Sequence, residues 1–261
     1  MTVLVTQFIE SIYNGKLLHL DKENFKKRYE GKEDWLGMSS AGKCFKQLQY
    51  KADPLIKGSP KDAKSMRVLR LGTVVGDDIQ DALEKANIDQ VEPGAIVFIE
   101  HHVSLEEYHV RGHLDFAVYH PDGTLEVVDF KTANHFSWSF KFGKKPEKSN
   151  GMYEMQVTSY GIALKRQLEA DGHEVKEVLQ ALYYYNKDNS MLKQKPVPFT
   201  KWENQTLMYW KQAWEYVRTK AKLEPGMDDG VPNSLTIRNG KSWECSYCDF
   251  SMNPCHSPLL K

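Results

Sequence analysis

The sequence predicts an α/β fold, a mixed central β-sheet flanked by helices, from three observations. Apolar residues recur with a period near 3.6 in some stretches and alternate in others, so helices and strands are both encoded. They come in the order helix, three strands, helix, strands, helix and irregular tail, which suits one α/β core. No internal repeat or low-complexity tract is present, which removes a solenoid from consideration.

Residues 3–30 read as helical, and the loop EGKEDWLGMSSAGKC follows. Residues 66–88 read as a helix through Val68, Leu71, Val75, Ile79 and Leu83. AIVFIEHHV, residues 95–103, reads as a strand, and residues 112–132, GHLDFAVYHPDGTLEVVDFKT, as a hairpin turned at Pro121-Asp122-Gly123. A lysine-rich loop leads to a helix over 151–170 that Asp171-Gly172 stops. EVLQALYYYNK and SMLKQKPVPF read as two further strands, and residues 202–222, carrying Trp202, Trp210 and Trp214, as a long helix. The tail holds glycines, prolines and three of the four cysteines.

At 261 residues, with 41% hydrophobic and 11% aromatic content, the chain can bury a core of ordinary globular kind. No apolar run approaches the roughly 18 residues of a membrane span, and MTVLVTQFIESIYNG is too short and too polar for a signal peptide. The expected location is therefore cytoplasmic, with no membrane partner. Lysine plus arginine balance aspartate plus glutamate at 35 each, so net charge carries no nucleic-acid signal. The distribution is uneven. Lys43, Lys46, Lys51, Lys57, Lys61, Lys64, Arg67 and Arg70 face only Asp53 and Asp62 in the same stretch, and Lys141, Lys144, Lys145 and Lys148 form a second cluster. Such runs are solvated surface unless an active site lies beside them.

The hairpin places charges where a half-buried strand has little use for them. Alternation sets Leu114, Phe116 and Val118 on one face and Asp115, Ala117 and Tyr119 on the other, while Asp129 and Lys131 share a face opposite Val128 and Phe130. Asp115 and Asp129 are equally far from Asp122, so a hairpin centred there sets them opposite each other, with Cβ atoms about 5 Å apart. Two ionised carboxylates at that range repel by about 3 kcal/mol at an effective dielectric near 20. A divalent cation compensates, and hard oxygen ligands suit Mg²⁺ or Mn²⁺, with Lys131 able to hold a water or neutralise an oxyanion. The plain alternative is an exposed polar face on which Lys131 pairs with Asp129.

GHLD followed by a hairpin and VVDFKT resembles the paired motifs of the PD-(D/E)XK nuclease superfamily in its RecB-like branch, with His113-Leu114 where the name has proline. Gln156 and Tyr160 in QVTSY match that branch's Q-x-x-x-Y pattern, and their spacing puts both on one helix face. The resemblance implies a restriction-endonuclease-like core. It also implies catalytic roles for Asp115, Asp129, Lys131, Gln156 and Tyr160, and a metal held by Asp115, Asp129 and the carbonyl of Phe130. The branch usually carries a further histidine ligand on a preceding helix. Here GTVVGDD puts Gly76 in that place, and Asp77 either takes over the role or is a solvated acid beside Asp78, Asp81 and Glu84.

Cys245, Cys248 and Cys255 form C-x-x-C-x6-C near the C-terminus, far from Cys44. In a cytoplasmic chain, thiolates in this pattern fit a metal centre better than disulfides, and either zinc or a 4Fe-4S cluster accepts four of them. The arrangement resembles the iron-sulfur nucleases of the same superfamily, among them CRISPR adaptation nucleases and phage exonucleases, which implies a 4Fe-4S cluster joining the N- and C-terminal segments, with Zn²⁺ the alternative. On that resemblance the chain divides into an N-terminal helical segment with the first cluster cysteine (1–65), a nuclease core (66–222) and a cluster-binding tail (223–261). The expected function is that of a Mg²⁺- or Mn²⁺-dependent deoxyribonuclease, an exonuclease acting on single-stranded DNA or DNA ends. Its setting would be recombination, repair, phage DNA metabolism or a CRISPR adaptation complex in a bacterial, archaeal or phage-infected cell. The rival is a DNA-binding or assembly subunit with a degenerate site.

Overall fold

The structure is a computed structural model and describes residues 9–20, 35–53, 55–56, 58–86, 92–144, 151–219, 237–238, 241–242 and 248–250. Of the basic and sulfur-bearing positions singled out above, Lys57, Lys145, Lys148, Cys245 and Cys255 lie outside them. In chain order the elements are helical residues 9–20 (α1), β1 (Leu36–Gly37), a 3₁₀ turn (Met38–Ser40), α2 (Phe45–Ala52), α3 (Ala63–Lys85), β2 (Ile96–Leu105), β3 (Val110–Tyr119), β4 (Thr124–Ala133), α4 (His135–Lys141), α5 (Met152–Ala170), β5 (Glu177–Asn186), β6 (Leu192–Pro196) and α6 (Phe199–Thr219). Two-residue strands over Ile237–Arg238 and Lys241–Ser242 pair with each other.

The sheet is mixed, as expected. β2–β3, β3–β4 and β5–β6 pair antiparallel, and β1–β3 and β4–β5 parallel, in the order β1-β3-β4-β5-β6 with β2 on β3. Local chemistry explains the element boundaries. α3 begins at Ala63 because the Asp62 side chain accepts from the Ser65 amide at 2.7 Å, capping an otherwise unmet donor. α4 falls where the sequence suggested loop, and its start is fixed in the same way by Asn134, which accepts from the Ser137 amide at 2.8 Å. α2 was equally invisible. Its eight residues are too few for periodicity to assert itself, and it forms because Phe45 and Leu48 drop into the core.

α5 lies on one face of the sheet and α3 on the other. Gln156 of α5 reaches Asp129, whereas a Cβ on Gly72 of α3 would sit 3.2 Å from Thr132 Oγ1, and Asp129 and Thr132 are an odd number of residues apart on β4. α5 is buried along Glu154–Leu164, sandwiched between the sheet and α6, whose Trp210 is fully buried and donates its indole N–H to Ser159 Oγ at 2.8 Å. α3 is different: Met66 is its one buried residue, and Val68, Leu69, Leu71 and Val74 are all at least 44% exposed. The apolar stripe read from its sequence is therefore only partly covered.

At the far end, an aromatic stack ties three segments together. His109, in left-handed backbone (φ 49°), lies between Trp35 (5.2 Å) and Trp214 of α6 (4.1 Å), and Arg111 sits over Trp35. Closer to the centre, β3 and α5 approach so tightly at Gly112 that a Cβ there would meet Tyr160 Cε1 at 2.8 Å and Met38 Cβ at 3.1 Å. Tyr160 and Met38 are both buried, so neither can yield cheaply. Gly112→Ala should lower stability by about 1–3 kcal/mol. That corresponds to a melting temperature lower by several degrees, at about 2–4 °C per kcal/mol for a chain of this size, and thermal denaturation of the purified variant checks it.

Candidate active site

The hairpin has the register its turn dictates. Tyr119 pairs with Leu125 and Phe116 with Val128, so Asp115 and Asp129 face each other one step beyond the last pair. The ladder stops there because the side chain of Asp115 takes a backbone partner: the Phe130 amide donates to Asp115 Oδ2 at 2.6 Å. A carboxylate thus wedges the two strands apart and stays fixed between them.

Asp129 is fully buried. Its Oδ1 accepts from Gln156 Nε2 at 3.1 Å, and its Oδ2 stands 2.5 Å from Lys131 Nζ without accepting an aligned hydrogen bond. Lys131 is itself only 16% exposed, which disposes of the exposed polar face. Gln156 uses its second amide proton on the Tyr160 oxygen at 3.0 Å, so one side chain joins the carboxylate to the phenol. The spacing that put Gln156 and Tyr160 on one helix face also turns that face to β4.

The electrostatics follow from burial. Desolvation, reinforced by the charge of Asp129, pushes the Asp115 carboxyl up to about 7, against the pull of Lys131 and the Phe130 amide. Burial likewise raises Asp129, opposed by Lys131. For Lys131 burial favours the neutral amine, but the charges of Asp129 and Asp115 outweigh it and its pKa is raised. Tyr160 is raised by burial and by Asp129, so it remains a neutral hydroxyl.

Other residues gather nearby. Tyr153 lies under both Lys131 (5.1 Å) and Lys141 (5.3 Å), and Lys141 also sits 4.8 Å over Tyr184. Glu100, opposite Asp115 in the β2–β3 register, adopts φ 46°, and its charge is felt by Asp115 and Tyr160. Sequence reading passed over Glu100 and Tyr153. An acid inside the apolar run AIVFIEHHV was the available signal for Glu100; Tyr153 had none, since only the fold brings α5's first turn over Lys131. Asp77 is 64% exposed and lies 3.8 Å from Arg70, and its effect on this region passes through Glu100, whose carboxyl is raised by burial and then by Asp77.

A divalent cation fits the donor set, because Asp129 Oδ2 is a buried oxygen that, beside its ion pair with Lys131, accepts no aligned hydrogen bond, and Asp115 is a hard carboxylate facing it. Among the described residues no three His, Cys, Asp or Glu side chains stand together as a ready metal site. The remaining ligands would be backbone, water or substrate oxygens.

Cys44 and Cys248 are both half-buried, and the segments that carry them meet. Ser59 N donates to Asp249 O at 2.6 Å, Lys61 pairs with Asp249 at 3.1 Å, Phe250 packs on Tyr50 at 5.5 Å, and Lys43 feels the charges of Asp249 and Cys248. Part of the first basic run is therefore engaged in docking the tail.

The site thus sets two facing carboxylates, one of them fully buried, and a lysine against the Gln-Tyr face of α5 in an α/β protein. The sequence profile of the PD-(D/E)XK nuclease superfamily matches residues 15–253, and the chain belongs to that superfamily, which implies metal-dependent nuclease activity in general. Its mixed sheet flanked by helices is consistent with a restriction-endonuclease-like core. No curated protein matches the sequence. Among solved structures, the crystal structure of SSO0001 is similar over 96% of this chain and 95% of that one, at 14% identity and a TM-score of 0.42. No helix among the described residues is long and apolar enough to cross a membrane.

The raised carboxyl gives a pH test. An unfolded aspartate titrates near about 3.9, whereas folded Asp115 keeps its proton to about 7, so the folded chain binds more protons between those values. The stability this proton contributes is fully present below about 4 and is lost as pH rises through about 7. Cation binding needs the carboxylate form, so affinity for Mn²⁺ should rise steeply up to about pH 7 and level off above it. Calorimetric titration at about pH 6 and about pH 8 checks this: the parent should bind more tightly at the higher pH, and Asp115→Asn weakly at both.

Proposed function

We propose that the protein is a Mg²⁺- or Mn²⁺-dependent deoxyribonuclease of the RecB-like branch, acting as an exonuclease on single-stranded DNA or DNA ends. The observation that carries this reading is the Gln156 amide, which connects Asp129 of the D-x-K strand with Tyr160 of the helix pattern characteristic of that branch. Asp115, Asp129 and the Phe130 carbonyl would hold the cation. When bound, it supplies a Lewis acid for the phosphate and lowers the pKa of a water. Lys131, kept protonated by the two aspartates, orients the attacking water and neutralises charge that develops on the phosphate oxygens. Gln156 keeps Asp129 in place and Tyr160 presents a neutral hydroxyl to the scissile region. Lys141 and its neighbours Lys144, Lys145 and Lys148 follow the DNA backbone, with affinity that falls as salt rises.

The cysteines complete the proposal. Cys44, Cys245, Cys248 and Cys255 hold one centre, a 4Fe-4S cluster with zinc as the alternative, and staple the tail to the region around α2. The contacts of residues 248–250 with residues 43–61 support this. Binding would be coupled to folding, because the unfolded chain offers no preformed site. A 1–65, 66–222 and 223–261 division follows from the same reading, as does work in recombination, repair, phage DNA metabolism or a CRISPR adaptation complex. The second reading, a DNA-binding or assembly subunit with a weakened site, is favoured by one observation: Gly76 leaves the branch's helix-histidine place without a side chain.

End-labelled single- and double-stranded DNA incubated with anaerobically purified protein and Mg²⁺, Mn²⁺ or EDTA separates the two. Cleavage that needs the cation supports the nuclease, and tight binding without cleavage supports the subunit. Lys131→Ala should lose about a hundredfold or more in turnover while keeping its DNA affinity, and should melt lower because buried Asp129 loses its counter-charge. Asp115→Ala and Asp129→Ala should be inactive, and near-normal cleavage by Lys131→Ala would remove the catalytic assignment. Anaerobic protein should carry roughly four irons per chain. Cys44→Ala and Cys248→Ala should both lose that iron and melt lower; unchanged melting in both would remove the staple.

A further inference from the structure

Gly76 sits in the interior of α3, where a glycine is less favourable than alanine for lack of a side chain and excess backbone freedom. Packing does not demand it, since a Cβ built there meets nothing within 4 Å. The space it leaves belongs to a groove of about 380 Å³ between α3 and the sheet, within the range of small-ligand sites. Gly76, Gly72, Val75 and Ile79 form one wall. The floor is aromatic: Phe130, Tyr183 and Tyr185 lie on one face of β4 and β5, with Phe130 and Tyr183 meeting edge to face at 5.9 Å. Lys131, Tyr153 and Lys187 also line it, so the groove adjoins the site at Lys131, whose Nζ stands 2.5 Å from Asp129 Oδ2.

Resting on the nuclease reading above, we propose that this groove receives an unstacked nucleobase of the strand whose phosphate lies at Asp115 and Asp129. The chemistry of the lining fits that occupant. A base has an aromatic face for Tyr183 and Phe130, and its sugar-phosphate carries the negative charge that Lys131 and Lys187 meet. Aromatic stacking with cationic ends tolerates any sequence, because each base offers a π-face. A base inside a duplex cannot enter, so the groove selects single strands or frayed ends, and the small residues of α3 provide the clearance.

The test is fluorescence anisotropy with labelled oligonucleotides in EDTA, comparing a single strand, the same strand with abasic sites, and a blunt duplex. The parent should bind the base-bearing strand about tenfold or more tightly than the abasic one. Gly76→Leu, which fills the groove, and Tyr183→Ala, which removes its floor, should each lose about that factor on the base-bearing strand, with abasic binding and Mn²⁺ affinity unchanged. Gly76→Ala should melt at or above the parent temperature, showing that the helix accepts a side chain there. Should Gly76→Leu fail to fold, Tyr183→Ala and the abasic comparison decide the matter. Equal binding of base-bearing and abasic strands by the parent overturns the proposal, as does unaltered single-strand binding by Tyr183→Ala. A parent that cleaves DNA with Mn²⁺ while the variants bind normally leaves the nuclease reading standing and the groove assignment refuted. A parent that neither binds nor cleaves DNA refutes both.

Discussion

Burying a carboxylate as completely as Asp129 is buried costs several kcal/mol unless its charge is met, and the architecture around it is organised to meet it. Lys131 supplies the counter-charge from the same strand face, and Gln156 supplies a neutral donor from α5. For Gln156 to be there, α5 must lie close on the sheet, and that closeness is visible in the absence of room for a side chain at Gly112. α5 in turn is held down by α6, through Trp210 and its bond to Ser159. One buried charge therefore constrains the choice of residues in two helices and two strands.

The same constraint prepares chemistry. A carboxylate pair that faces itself across an opened hairpin is repulsive, and the protein answers by keeping Asp115 protonated to about 7 and by tying its Oδ2 to a backbone amide. In the proposed nuclease a cation would replace that proton at little cost in reorganisation, because the strands and Gln156 already hold the carboxylates. Preorganisation of this kind is what lets electrostatic stabilisation act at the moment charge develops on a phosphate. The two faces of the sheet differ. The α5 face is closed, whereas the α3 face is thinly covered and aromatic.

Much of this was legible beforehand, and for identifiable reasons. The equal distance of Asp115 and Asp129 from Asp122 fixed their opposition, because a hairpin's register is set by its turn. The four-residue spacing of Gln156 and Tyr160 fixed a common helix face, and the structure turns that face to β4. Less legible were α2 and α4, too short for a periodic signal, and the part-covered stripe of α3, since periodicity reports that residues share a face and is silent on what covers it. Glu100 escaped because its left-handed backbone breaks the alternation on which strand reading relies.

By itself, then, the sequence determined the order of the longer elements and the hairpin register, because each depends on contacts between residues near one another in the chain, whereas the pairing of the D-x-K strand with the Q-x-x-x-Y helix, 27 residues apart, was implied only by the family resemblance. The tertiary structure decided how deeply Asp129 is buried, that Tyr153 lies under Lys131, and that residues 248–250 dock beside the segment after Cys44. Those outcomes depend on which distant segments exclude water from one another, and no local pattern of residues specifies that.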